Sequence, residues 1–167
     1  MGIVRSFKIL VVDDYELFRR FVCSVLQRRD DFQVVQASDG AEAVQKAKEL
    51  LPDLILLDIG LPSLNGIEVA RRLDHGSRIL FLSQESSPDV VREALSLAAG
   101  YVHKPRAQSD LMPAIEAVLA GRRFTSSSLG VSEGVSSQAS HGHEILFSSD
   151  DEPVLLDGLT RFTAKPQ

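Results

Sequence analysis

Asp53-Leu54-Ile55-Leu56-Leu57-Asp58 reads as a fully buried strand that ends in a carboxylate. Four consecutive aliphatic residues leave no polar face, which suits a parallel strand covered by helices on both sides. Similar runs lie at Lys8-Ile-Leu-Val-Val12, Phe32-Gln-Val-Val35 and Arg78-Ile-Leu-Phe-Leu82, with a weaker one at Gly100-Tyr-Val-His103. Segments with helical spacing separate them. The first carries Leu17, Phe21, Cys23, Val25 and Leu26 behind Asp14 as its capping residue. The others span 41–50, opened by the turn Ser38-Asp39-Gly40, then 64–73, 88–99 and 108–121. Pro88 suits the first turn of its helix, and Gly100 suits the position just past a helix end. Strand and helix alternate five times, so the pattern predicts an α/β fold with a parallel sheet between two helical layers.

Composition agrees with this and narrows the function. The chain has 167 residues, 44% apolar and 25% charged, which is an ordinary globular balance. Its net charge is −5, with 14 basic and 17 acidic residues over 1–121 and 4 and 6 over 122–167. Neither part has the basic footprint of direct nucleic-acid binding. Cys23 is the single cysteine, which excludes an intrachain disulfide, fits a cytoplasmic protein and reads as a buried, inert thiol. No apolar run has the length of a membrane span, and no signal peptide is expected. Met1-Gly2 with Ser6 fits a loose myristoylation pattern, but Ile3-Val4 reads as the lead into the first strand.

In an open parallel sheet, ligands bind beyond the carboxyl ends of the strands. Those ends deliver Asp13 and Asp14, Asp58, Ser83, and Lys104 followed by Pro105. Three carboxylates in one place repel unless a cation relieves them, and a hard ion such as Mg²⁺ takes oxygen ligands. A carboxylate also attacks phosphorus to give an acyl phosphate, and a lysine and a hydroxyl can neutralise the transferred oxygens. Asp58 is the nucleophile candidate, because it ends the most apolar strand.

These residues resemble the receiver domains of two-component response regulators, of the type found in NarL/LuxR-like regulators. The resemblance rests on Val11-Val12-Asp13-Asp14, Leu56-Leu57-Asp58-Ile59, Leu61-Pro62 with Asn65-Gly66, Leu82-Ser83 and Gly100-Tyr101-Val102-His103-Lys104-Pro105. It implies a flavodoxin-like (βα)5 sheet of strand order 2-1-3-4-5 over residues 1–121. It also implies phosphorylation of Asp58 by a histidine kinase or phosphotransfer protein, with Asp13, Asp14, Asp58 and the Gly60 carbonyl holding Mg²⁺. Lys104 would pair with the phosphoryl group, and Lys104-Pro105 would be a cis peptide. Ser83 and Tyr101 would be the switch that couples phosphorylation to the face of helix 4, strand 5 and helix 5. Enzymatic character would be limited to self-catalysed phosphotransfer and dephosphorylation.

Two departures stand beside Ser83: Gln84, where the family is commonly small, and Glu85, which brings another negative charge to the mouth. They leave a phosphorylation-independent, receiver-like scaffold as the alternative. A haloacid-dehalogenase-like phosphatase is disfavoured because Gly60 stands where a second acid belongs. The pairs Arg19-Arg20, Arg28-Arg29 and Arg71-Arg72 read as solvated faces, the first also as a kinase contact. A homodimer through helix 4, strand 5 and helix 5, or through helices 1 and 5, is an expectation as well.

From 122 to 142 the chain holds seven serines and three glycines and reads as a flexible linker. Gly121-Arg-Arg-Phe124 resembles the end of receivers that precede a helix-turn-helix domain, but the residues after it are too few for one. Residues 143–167 read as a strand and a short helix, faintly similar to the start of a MEDS-type sensory domain and so the truncated start of a second domain. His141 and His143 make only a weak metal-binding pair.

Overall fold

The aliphatic runs form the middle of a six-stranded, all-parallel sheet in a computed structural model that describes residues 5–73 and 76–129. The strands are β1 (Phe7–Val12), β2 (Phe32–Ala37), β3 (Leu54–Leu57), β4 (Arg78–Ser83), β5 (Gly100–His103) and β6 (Phe124–Thr125). Their order is β2-β1-β3-β4-β5-β6, so β3 is interior and the chain reverses direction across the sheet between β1 and β3. The helices are α1 (Glu16–Leu26), α2 (Gly40–Leu50), α3 (Gly66–Arg72), α4 (Pro88–Leu97) and α5 (Ala107–Leu119). The flavodoxin-like order expected for the first five strands is the observed one.

Side chains alternate between two cores. Ile9, Val11, Leu54, Leu56, Leu80, Leu82 and Val102 pack with α1 and α5. Leu10, Val12, Ile55, Leu57, Ile79, Phe81 and Tyr101 pack with α2, α3 and α4. All four residues of β3 are buried, which is why its sequence shows no alternation of polarity. Burial of each such leucine contributes about 1.5–3 kcal/mol relative to exposure.

Local signals set the helix starts. Asp39 accepts from Glu42 N at 2.9 Å and caps α2, as the Ser38-Asp39-Gly40 turn predicts. Asn65 caps α3 by accepting from Glu68 N at 3.0 Å. At Gly66 a Cβ would lie 2.1 Å from the Asp58 carbonyl oxygen, so only glycine lets α3 start against the end of β3. Gly100 is not a helix-end residue as expected. It opens β5, where a Cβ would lie 2.6 Å from the Phe124 carbonyl oxygen.

The expected boundary at residue 121 is also shifted. Residues 124–125 form β6 beside β5, and Ser127–Leu129 make a 3-10 turn that ends on buried Leu129. The rest of the expected linker, the strand and helix over 143–167, and His141 and His143 lie outside the described residues.

Candidate functional site

Strand register brings the acidic residues level with one another. Val12 pairs with Leu57, so Asp13 and Asp58 leave the sheet side by side. Asp13, Asp58 and Lys104 each stand two residues past Val11, Leu56 and Val102, on the side of the sheet covered by α1 and α5. Ser83 stands two past Phe81, on the side it shares with Tyr101 and α4. One parity gathers the charges and the other gathers Ser83 with Tyr101.

The contacts follow that division. Lys104 Nζ donates to Asp13 Oδ2 at 2.8 Å and to Asp58 Oδ2 at 2.7 Å. Asp13 and Asp58 are 3% and 5% exposed, while Asp14 is open to solvent. One oxygen from each of Asp13, Asp14 and Asp58 falls within a 4.8 Å group. Asp58 Oδ1 accepts from Gly60 N at 3.3 Å. Gly60 lines the same open cleft as Asp14, Asp58, Ser83, Gln84 and Lys104. Asp14 does not cap α1; Asp13 Oδ1 accepts from Tyr15 N at 2.9 Å instead, which leaves Asp14 free to face the cleft.

Burial pushes the Asp13 carboxyl up, against the pull of Lys104's hydrogen bond and charge. For Lys104 burial acts downward, but its bonds to Asp13 and Asp58 together outweigh it and hold the ammonium above its ordinary value. One ammonium therefore faces three carboxylates, and the cluster keeps an excess of negative charge. All of its donors are hard oxygens in an open cleft, so the set fits a divalent cation such as Mg²⁺.

On the other parity, Ser83 is buried and its Oγ accepts from Glu85 N at 3.4 Å. The Tyr101 hydroxyl donates to the Glu85 carbonyl at 2.7 Å, and the tyrosine is wholly buried. Burial drives that hydroxyl well above the usual tyrosine range. The Glu85 carboxylate accepts from Ser86 N and Ser87 N at 2.9 and 2.8 Å. The charge expected at the mouth is thus engaged by the backbone that leads into α4.

One expected feature is corrected. The Lys104-Pro105 peptide is trans, for no cis bond occurs among the described residues. Lys104–Arg106 form a single 3-10 turn, and Ala107 N donates back to the Lys104 carbonyl. The chain runs from β5 directly into α5, and a trans proline has a φ suited to a helix start.

Two residues outside the expected site shape it: Phe18, which the sequence reading placed nowhere, and Arg19, which it read as part of a solvated face and kinase contact. The Phe18 ring lies 4.7 Å below Lys104 Nζ and lines the cleft. Arg19 donates to the Asp13 carbonyl at 2.7 Å and to Gln36 Oε1 at 3.1 Å. Both sit in the α1 turn just after the acidic pair, but their contacts with Lys104 and Asp13 are tertiary and leave no local pattern. Arg29 pairs with Asp31 and Glu116, and Arg71 with Glu93, so each basic pair has one member engaged in the fold.

No helix among the described residues is long and apolar enough to cross a membrane. Comparison with known proteins runs along the same lines as the geometry. The response regulator GacA of Pseudomonas syringae pv. syringae is 36% identical over 124 residues, 71% of this chain and 58% of GacA. The chain therefore spans less than two thirds of such relatives. A LuxR-family two-component response regulator from Aurantimonas sp. SI85-9A1 superposes with a TM-score of 0.70 at 34% identity, covering 74% of this chain and 92% of that one. The signal receiver domain of the putative response regulator NarL from Mycobacterium tuberculosis gives 0.65 at 33% identity, covering 71% and 99%. The response regulator receiver domain family matches residues 9–116. With most of the chain under that match and its acids and lysine gathered at one sheet edge, this is a receiver domain of a two-component response regulator.

Proposed function

We propose that Asp58 is the phosphoacceptor, charged by a cytoplasmic histidine kinase or phosphotransfer protein in the presence of Mg²⁺. The observation that carries this reading is the Lys104 ammonium bridging Asp58 and Asp13 beside Asp14 in an open cleft. An Asp58 oxygen forms the new O–P bond as the donor's P–N bond breaks, and the departing imidazole nitrogen keeps the electron pair and takes up a proton. Asp13, Asp14, Asp58 and the Gly60 carbonyl are the residues that would hold the cation. When bound, Mg²⁺ supplies neutralisation of the phosphoryl oxygens. Lys104 offers an ammonium to one phosphoryl oxygen, and the Ser83 hydroxyl lies within the same cleft to meet another. Movement of Ser83 would act on Glu85, which its Oγ and the Tyr101 hydroxyl both contact, and so on the face of α4, β5 and α5. The chemistry is self-catalysed transfer and hydrolysis within a signalling protein.

Incubation with acetyl phosphate and Mg²⁺ should add the mass of one phosphoryl group. The gain should vanish in Asp58→Asn and in excess chelator. No gain with any donor, from folded protein, overturns the phosphoacceptor reading in favour of a phosphorylation-independent binding module.

A further inference from the structure

The Lys104 ammonium has three N–H groups, and the carboxylates of Asp13 and Asp58 lie 2.8 and 2.7 Å from it. A third neighbour is an aromatic ring: Phe18 has its centroid 4.7 Å from Nζ, inside the range of a cation–π contact, beside the cleft that both residues line. The Lys104 side chain is only 9% exposed, so the ring stands where water would otherwise solvate the charge. We propose that Phe18 is a positioning residue for phosphoryl transfer, its ring face holding the Lys104 ammonium over Asp58. This rests on the phosphoacceptor reading above and adds a residue to it.

An ammonium buried beside two acids needs a third contact that attracts the charge without competing as a hydrogen-bond acceptor. A water or a polar side chain in that place would take an N–H and draw Lys104 away from Asp58. The negative face of a ring attracts the cation but leaves its N–H groups directed at the carboxylates. The same helical turn braces the other half of the pair, because Arg19 holds the Asp13 carbonyl at 2.7 Å and reaches Gln36 on β2. Phe18 is itself steadied by Phe21, with ring centroids 5.8 Å apart. The first turns of α1 thus brace both Asp13 and its lysine partner, although neither Phe18 nor Arg19 is acidic or nucleophilic.

The experiment compares wild type with Phe18→Leu, which keeps apolar cover but has no ring face, and Phe18→Tyr, which restores the ring. With Mg²⁺ and acetyl phosphate, Phe18→Leu should be phosphorylated roughly three- to thirty-fold more slowly, as loss of a desolvated cation–π contact implies. Phe18→Tyr should recover most of the rate, and thermal melts should show both variants folded. In the unphosphorylated protein, the Lys104 methylene protons beside Nζ should be shifted upfield by the ring, and Phe18→Leu should abolish the shift. Equal rates for all three proteins overturn the proposal. So does equal slowing of both variants, which would show that shape rather than the ring face matters. Absence of the upfield shift in wild type overturns the placement itself. A wild type that shows the shift but takes up no phosphoryl group overturns the phosphoacceptor reading, and the transfer role with it, while leaving the Phe18–Lys104 contact established.

Discussion

Tyr101 shows how one buried hydroxyl makes the molecule sensitive to alkali. In the folded state the phenol is enclosed and donates to the Glu85 carbonyl, so burial keeps it protonated far above its ordinary value of 10.0. The unfolded chain ionises it near that ordinary value, so stability falls as pH rises beyond about 10, by about 1.4 kcal/mol per pH unit for one such group. Lys104 acts in the same direction. Its folded value is raised, so its stabilising bridge is complete below its unfolded value of 10.5 and is lost as pH passes the folded one. The Tyr101→Phe variant retains Lys104 and isolates the phenol: urea unfolding should show a gentler loss of stability above pH 10 than in wild type. A parallel loss in the two proteins would contradict the buried, neutral phenol. At this scale much of the site was legible in the sequence. Asp13, Asp58 and Lys104 each come at the end of an apolar run, and two-residue alternation places them on one side. Phe18 was not legible, since its value depends on a lysine 86 positions away meeting its ring, a tertiary fact with no local signature.

Among the elements, β6 was the one that pattern reading missed. Two residues, Phe124 and Thr125, are too few to show a period, and the serines after them suggest a linker. Its surroundings fix the element. Phe124 N donates to the Ala99 carbonyl at 3.3 Å, and Ser126 N donates to the Tyr101 carbonyl at 3.0 Å. Arg123 reaches the Leu95 carbonyl at 2.7 Å. Ser126 Oγ accepts from His103 N at 3.2 Å and donates to the buried Asp110 at 2.6 Å, which pins the segment to α5. Asp110 feels burial upward, but its bonds to Ser109 and Ser126 and the charge of Arg106 bring the net shift below the usual carboxylate value. Removing the serine hydroxyl leaves an Asp110 oxygen without that donor. Ser126→Ala should therefore cost about 1–3 kcal/mol in urea unfolding at neutral pH. An unchanged midpoint would mean the latch is ornamental. The other elements were legible chiefly from their apolar runs and spacing; α2 and α3 add a side-chain cap at Asp39 and Asn65, whereas the cap expected of Asp14 for α1 is not made. The cis Lys104-Pro105 peptide was an implication of the resemblance and not of the residues themselves, since an X-Pro dipeptide permits either isomer; it is trans.

Across the molecule, the sheet has two margins, β2 on one side and β6 on the other. Trimming the chain after Gly121 removes β6 and Leu129, baring the outer side of β5 and part of the core around Tyr101. An unpaired, apolar strand edge is a template for association. The shortened protein should melt at a lower temperature than one ending at residue 132 and should sediment with concentration-dependent self-association. Equal melting temperatures and a clean monomer would show that β6 is dispensable. This arrangement also constrains how two copies can meet. With β5 already paired to β6 within the chain, a second copy arriving on that flank cannot extend the sheet from β5 and meets only the two-residue margin strand β6. A symmetric pair formed there could share no more than the short ladder a two-residue strand allows, so most of its buried area would have to come from helix surfaces beside it.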